Sequence, residues 1–378
     1  MIKTNYALLL LLLSAGFLGA CSSSGQDSST PLEQEPVAQE PVAQEPAGTD
    51  VPPDEDIGPD GQGDVTPVLV DGNSLATDGC QNVVILNGFA YAACGTGIEV
   101  VNLDSLERNF VLQPADDITG DASLGVLFTQ SGTTLRQFDL VNPMAPNPIT
   151  TLDTNFAIFS GVSAANGILA VSGGSGGANT EIYTYDSTSL SLVLPGIPAV
   201  DNQIGNPDVH VAASGDGATA FYSQDIGAAA NWGLQIVELD SSGNVTAIPE
   251  AVVLTPGQFF VNFGLPFSPA NIPIEGEFLD GRLYVAHFAA EGIEVIDTSD
   301  SNALSLIPLG YEPTNIATDG SQLFVVAVSR DIVDTIDPTT ETVVDSISLP
   351  LQLPAGVAVS ETHIAVADRV LGLIVTSR

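Results

Sequence analysis

The sequence predicts an all-β fold: a seven-bladed β-propeller whose N-terminal strand completes the last blade, preceded by a signal peptide and a disordered acidic linker. Three observations carry this reading. A short apolar run opens the chain, a Pro/Glu/Gln-rich stretch follows, and a strand–turn pattern then repeats to the C-terminus.

Lys3 places a positive charge ahead of Ala7–Leu13, which contains six consecutive leucines. The run is too short to span a bilayer and reads as the apolar region of a signal peptide over residues 1–20. Leu18-Gly19-Ala20-Cys21 follows. Small residues before a cysteine resemble the bacterial lipobox, which implies cleavage ahead of Cys21, lipidation of its thiol and attachment to a membrane through that anchor. Ser22, where an aspartate would hold the protein back, implies by the same resemblance an outer-membrane lipoprotein of the cell envelope, facing the periplasm or the surface. The competing reading is an ordinary secretory signal with an incidental cysteine.

Residues 21–64 form the tether. Glu35-Pro36-Val37-Ala38-Gln39 repeats at Glu40-Pro41-Val42-Ala43-Gln44, no basic residue interrupts the stretch, and little in it can build a core. Proline and self-repulsion extend such a segment, giving a reach on the order of 40 Å or more. Asp54, Asp56, Asp60 and Asp64 lack calcium-loop spacing and read as solvated linker charge.

Charge narrows the partners. The chain holds 46 acidic residues against 7 basic ones, a formal charge of −39. Phosphate neutralisation needs clustered Lys and Arg, so nucleic acid is excluded as a partner.

From Val65 to Arg378, short runs of Val, Ile, Tyr, Phe and Ala alternate with Gly/Asp/Asn/Ser turns, without helical periodicity. Gly88-Phe89-Ala90-Tyr91-Ala92-Ala93-Cys94 followed by Gly97-Ile98-Glu99-Val100-Val101-Asn102 recurs as Gly281-Arg282-Leu283-Tyr284-Val285-Ala286-His287 followed by Gly292-Ile293-Glu294-Val295-Ile296-Asp297. Aspartates closing the third run mark six units at Asp104, Asp139, Asp186, Asp240, Asp297 and Asp337, and a seventh unit ends near Thr376. The spacing suits four-stranded blades, and an aspartate at a strand end suits the amides of the following turn. With these residues in hand, the segment 65–378 resembles the YVTN/LVIVD-type repeat propellers of bacterial surface and periplasmic proteins. That resemblance implies the fold and leaves the activity open.

The last unit supplies three strands, Pro354–Val359, His363–Ala367 and Leu371–Thr376, and Val65–Val70 precedes the first unit without a partner. Pairing the two completes the ring and covers a sheet edge.

Asn87-Gly88 marks a hairpin between Cys80 and Cys94. In an exported protein these cysteines read as a disulfide, although a strict two-residue turn sets Cys80 opposite Gly95 and calls for a bulge or a three-residue loop. His210, His287 and His363 lack metal-binding spacing, and no nucleophile elbow or phosphate loop is present, so neither a catalytic residue nor a metal ligand is assigned.

Function on such a ring concentrates on one face. Long connections there carry Trp232, then Phe259, Phe260, Phe263 and Phe267, then His287, Phe288 and Glu291. These read either as a contact surface for a protein, peptide or glycan or as rings that tuck a long loop onto the blades. The heads of the innermost strands place Asp208, His210, Glu275, Glu312 and Asn315 at the mouth of an axial funnel. That mouth echoes the propeller lactonases, which implies calcium as a cofactor and a hydrolytic alternative. A third reading is a structural scaffold of an envelope complex.

Overall fold

A computed structural model describes residues 74–77, 79–154, 158–174, 178–195, 209–214, 217–225, 232–248, 252–253, 274–287, 291–298 and 303–378. All belong to one compact unit, Asp64–Arg378. The signal peptide, the tether and the strand expected at Val65–Val70 lie outside the described residues.

The structure is all-β and forms seven blades, each an antiparallel meander. Blade one is β1 (Asn82–Leu86), β2 (Phe89–Ala93), β3 (Ile98–Asn102) and β4 (Arg108–Val111). Blade two is β5 (Asp117–Asp121), β6 (Val126–Ser131), β7 (Thr134–Asp139) and β8 (Asn147–Asp153). Blade three is β9 (Ile158–Ala165), β10 (Ile168–Gly174), β11 (Ala178–Tyr185) and β12 (Leu190–Leu194). Blade four is β13 (Val209–Ser214), β14 (Gly217–Asp225), β15 (Trp232–Leu239) and β16 (Val245–Ala247), with β17 (Val252–Val253) also pairing to β15. Blade five is β18 (Ile274–Leu279), β19 (Arg282–His287), β20 (Gly292–Asp297) and β21 (Ala303–Pro308). Blade six is β22 (Asn315–Thr318), β23 (Leu323–Val326), β24 (Ile332–Asp337) and β25 (Thr342–Ser348). Blade seven shows three strands among the described residues: β26 (Pro354–Val359), β27 (His363–Asp368) and β28 (Gly372–Ser377).

The first strands close the ring. β1 lies beside β5, β5 beside β9, β9 beside β13, β13 beside β18, β18 beside β22, β22 beside β26, and β26 beside β1. Successive blades bury their faces against each other. Tyr91, Leu127 and Phe138 fill the space between blades one and two; Phe128, Leu169 and Tyr183 fill that between two and three. Tyr284, Ile316 and Leu323 join blades five and six, and Ala90, Ala365 and Val375 join blade one to blade seven. Small residues at this last seam let the sheets approach closely.

Turn chemistry sets the register. Asn87 and Gly88 take φ of 50° and 83°, the left-handed pair a two-residue hairpin needs, and Leu86 accordingly faces Phe89. Asp186 Oδ1 accepts from Thr188 N and Ser189 N, Asp240 Oδ1 from Ser242 N and Asn244 N, and Asp337 Oδ1 from Thr339 N, the strand-closing role expected of them. One marked aspartate departs from this pattern. In blade one Asn102 does the work, accepting from Asp104 N and Ser105 N, so the closing residue lies two positions earlier than expected. Asp297 faces Arg282 Nε at 3.8 Å.

The Cys80–Cys94 disulfide is present, with Cα atoms 3.9 Å apart. The ladder keeps the strict register from Leu86 opposite Phe89 to Asn82 opposite Ala93. Gln81 N then also donates to Ala93 O at 2.8 Å, a one-residue slip of the kind the expected bulge supplies, and Cys80, whose N–H bonds Asp368 O of blade seven at 2.9 Å, comes to lie against Cys94.

Candidate axial site

Near the heads of the innermost strands, Asn82, Asp117, Gly161, Glu275, Asn315 and Gly356 share one level of the ring, and four of these six are polar. Hydrogen bonds between neighbouring blades fix this level. Asn82 Nδ2 donates to Asp117 Oδ1 at 2.7 Å, and Val162 N donates to Asp117 Oδ2 at 2.9 Å. Val357 N donates to Asn315 Oδ1 at 3.1 Å. A side chain at Gly356 would strike Asn82, so that glycine is what lets blade seven close on blade one. Two residues further along, on the same side of the strands, Thr119 Oγ1 accepts from Ala164 N and Ser163 Oγ from Val211 N.

His210, level with Ser163, reaches Glu275, Nε2 to Oε2 3.1 Å, linking blades four and five. Their side chains are 17% and 18% exposed, so solvent reaches the pair. Burial pushes the Glu275 carboxyl well above its ordinary value, and the charges of Asp117 and Glu277 add to that. Burial also raises Asp117, opposed by its bonds from Asn82, Val162 and Ile118 and by the nearby His210. Glu277 is pushed up to about 8 by burial, against a bond from Thr318 N. The result is a mouth rich in carboxyl groups that ionise reluctantly, with an imidazole at its edge. It can accept and donate hydrogen bonds and hold a proton near neutrality.

The expected mouth residues therefore divide. His210 and Glu275 come together, and Asn315 sits buried at the level of Glu275. Glu312 lies where blade five passes into blade six: burial raises its pKa, the charge of Glu291 adds to that, and Leu309 N and Gly310 N both donate to Glu291 O. Asp208 lies outside the described residues. So do Phe259, Phe260, Phe263, Phe267 and Phe288, while Trp232 and His287 are described only as strand ends, heading β15 and closing β19.

Asn82, Asp117 and Glu277 were not singled out from the sequence. A signal for the first two exists: a polar residue followed by Val or Ile heads three of the innermost strands, at Asn82-Val83, Asp117-Ile118 and Asn315-Ile316. Among the described residues, the one group of three side chains close enough to share a metal is Cys80, Cys94 and Glu99. Its sulfurs are bonded to each other and Arg108 Nη1 occupies Glu99 Oε1 at 2.6 Å, so it is a structural cluster.

No protein-family model matches the chain, and no curated relative matches it by sequence. Solved structures do match in fold. A chain of Kuenenia stuttgartiensis hydrazine synthase aligns over 80% of this chain and 96% of its own, with a TM-score of 0.61 and 13% identity. A chain of a mitotic checkpoint complex aligns over 89% and 99%, with a TM-score of 0.55 and 11% identity. Virginiamycin B lyase from Staphylococcus aureus aligns over 79% and 94%, with a TM-score of 0.51 and 14% identity. At such identities the shared property is the β-propeller itself.

Proposed function

We propose that this chain is an envelope lipoprotein, anchored through Cys21, whose propeller binds a protein, peptide or glycan on the face that carries the His210–Glu275 pair. One observation carries the reading: Asn82, Asp117, Glu275 and Asn315 form a polar level near the heads of the innermost strands, and the His210–Glu275 pair beside it remains open to solvent. Burying polar groups costs stability unless they are matched, so a polar ring at the axis points to use by a ligand. The resemblance to YVTN/LVIVD-type repeats supports a surface or periplasmic role. The connections expected to make contact are of the kinds that join second to third strands and one blade to the next. Elsewhere in the ring those two kinds meet, as Gly95 N bonds Ala115 O.

Affinity capture from the native envelope with the full lipidated protein tests this. Capture lost in Trp232→Ala/Phe260→Ala and in His210→Ala/Glu275→Ala supports the reading. Unchanged capture in both removes it and leaves the scaffold reading. Retention of Cys21→Ser in the membrane fraction would remove the anchor.

A calcium-dependent, lactonase-like hydrolysis is the second reading; the charges of Asp117 and Glu277 act on Glu275, although among the described residues these carboxyl groups do not converge within metal-sharing distance. A calcium titration followed by melting decides it, because a bound ion raises the melting temperature and an unbound one does not.

A further inference from the structure

The chain enters the propeller along the seam between blades one and seven, and the contacts there fall into two unlike sets. Ahead of Cys80, residues 74–77 are held by a single buried carboxylate. Ser74 Oγ donates to Glu99 Oε2 at 2.6 Å and Leu75 N donates to Glu99 Oε1 at 3.0 Å, while Ala76 N bonds back to Ser74 Oγ at 3.1 Å. Arg108 Nη1 fixes Glu99 from the other side and reaches Leu373 O of blade seven at 3.1 Å. The segment lies against the β27–β28 turn: a side chain at Gly372 would collide with Ser74, and one at Gly79 with the Arg369 backbone. Beyond Cys80 the attachment changes to a continuous ladder, starting with Gln81 N to Ala93 O at 2.8 Å. The disulfide stands at the boundary, tying Cys80 to Cys94 at the far end of β2.

We propose that residues 74–79 are a releasable strap and that the Cys80–Cys94 disulfide is its stop. Side-chain bonds to one carboxylate open locally at lower cost than a strand ladder does. Once the strap opens, the Cys80 N–Asp368 O bond and the first rung of the β1 ladder become the next to fray. The covalent link stops this: Cys80 cannot leave without Cys94, and Cys94 N is bonded to Gly97 O within blade one. Release of residues 74–79 thereby frees about 20 Å of extended chain ahead of β1, while the innermost strand and the polar ring headed by Asn82 stay assembled.

Hydrogen exchange read by mass spectrometry on the full chain tests the device. Ser74→Ala removes a bond to an ionised group, so exchange at Leu75 and Ala76 is expected to rise about tenfold, with Gln81–Leu86 unchanged. In Ser74→Ala carrying also Cys80→Ala/Cys94→Ala, the rise is expected to run on into Gln81–Leu86. The proposal is overturned if Ser74→Ala with the disulfide intact already speeds β1, if it leaves Leu75 and Ala76 unchanged, or if the cysteine-free variant still protects β1. Should the cysteine-free variant not fold, the Ser74→Ala protein decides alone, through where the fast-exchanging segment ends.

Discussion

His210 Nε2 lies 3.1 Å from Glu275 Oε2, and the contact joins the innermost strands of neighbouring blades at the head of the axial channel. The pair does not stand alone, because the charges of Asp117 and Glu277 both act on Glu275. One imidazole thus faces several carboxyl groups, more than it can neutralise. Whatever ionises there depends on pH or on a ligand that brings charge of its own.

That excess predicts a pH-dependent stability change at Glu277. Its folded pKa is about 8 against an ordinary 4.5, so between these values the folded chain keeps a proton that the unfolded chain has lost. The contribution is full below about 4.5 and is lost as pH rises through 8. Glu277→Gln keeps an acceptor for Thr318 N and cannot ionise. It is expected to raise the melting temperature clearly at pH 8 and little at pH 5, and calorimetry at both values checks this. An equal effect at the two pH values would show that Glu277 is not the titrating group.

Asp117 tests the ring as a structural element. It receives bonds from Asn82 Nδ2, Ile118 N and Val162 N, which tie blades one, two and three together. Asp117→Ala leaves those donors without an acceptor and is expected to cost about 3 kcal/mol in denaturant unfolding. Asp117→Asn retains one acceptor oxygen and should cost distinctly less. Equal losses would mean that shape, and not the hydrogen bonds, sets the cost.

Parts of this architecture were legible in the residues, for separable reasons. Strand boundaries in blade seven and the hairpin at Asn87-Gly88 follow from local turn chemistry, and β26 and β27 begin where the sequence puts them. The meeting of His210 with Glu275 needs the ring to close, yet each residue could be placed by its position at a strand head. Asp117 was hidden because it follows Asp116 in a chain crowded with acids, where one more carboxylate carries no signal of its own. Glu99 was visible only as part of a repeated Gly-Ile-Glu-Val pattern. Its burial and its partners Arg108, Ser74 and Leu75 come from separate stretches of chain.

Tyr91 predicts the opposite sign to Asp117. Its ring is fully buried between blades one and two, its hydroxyl finds no hydrogen-bond partner among the described residues, and burial alone raises its pKa. Tyr91→Phe keeps the ring and removes a stranded polar group. Stability is expected to stay the same or rise by about 1 kcal/mol. A loss beyond that size in urea unfolding would reveal a partner for the hydroxyl.

The burial of β28 predicts what deleting residues 65–71 does. Fourth strands are open to solvent, as the exposed Leu304 and Leu306 of β21 and Val343 and Val344 of β25 show. β28 is the last strand of its sheet among the described residues, yet Leu373, Val375 and Thr376 are fully buried, as in the third strands β3 and β20. Arg108 bonds Leu373 O and the strap covers Gly372, but neither spans the strand. An edge so protected calls for a further strand, and the expected Val65–Val70 ends four residues before Ser74, close enough to supply it. Removing 65–71 uncovers apolar surface and unpaired amides together, so the melting temperature is expected to fall on the order of 10 °C. Strap deletion alone, over 74–77, should cost less because it leaves that edge covered. If the 65–71 deletion melts like the intact chain, β28 is shielded by something other than the N-terminal strand, and the ring closes without it.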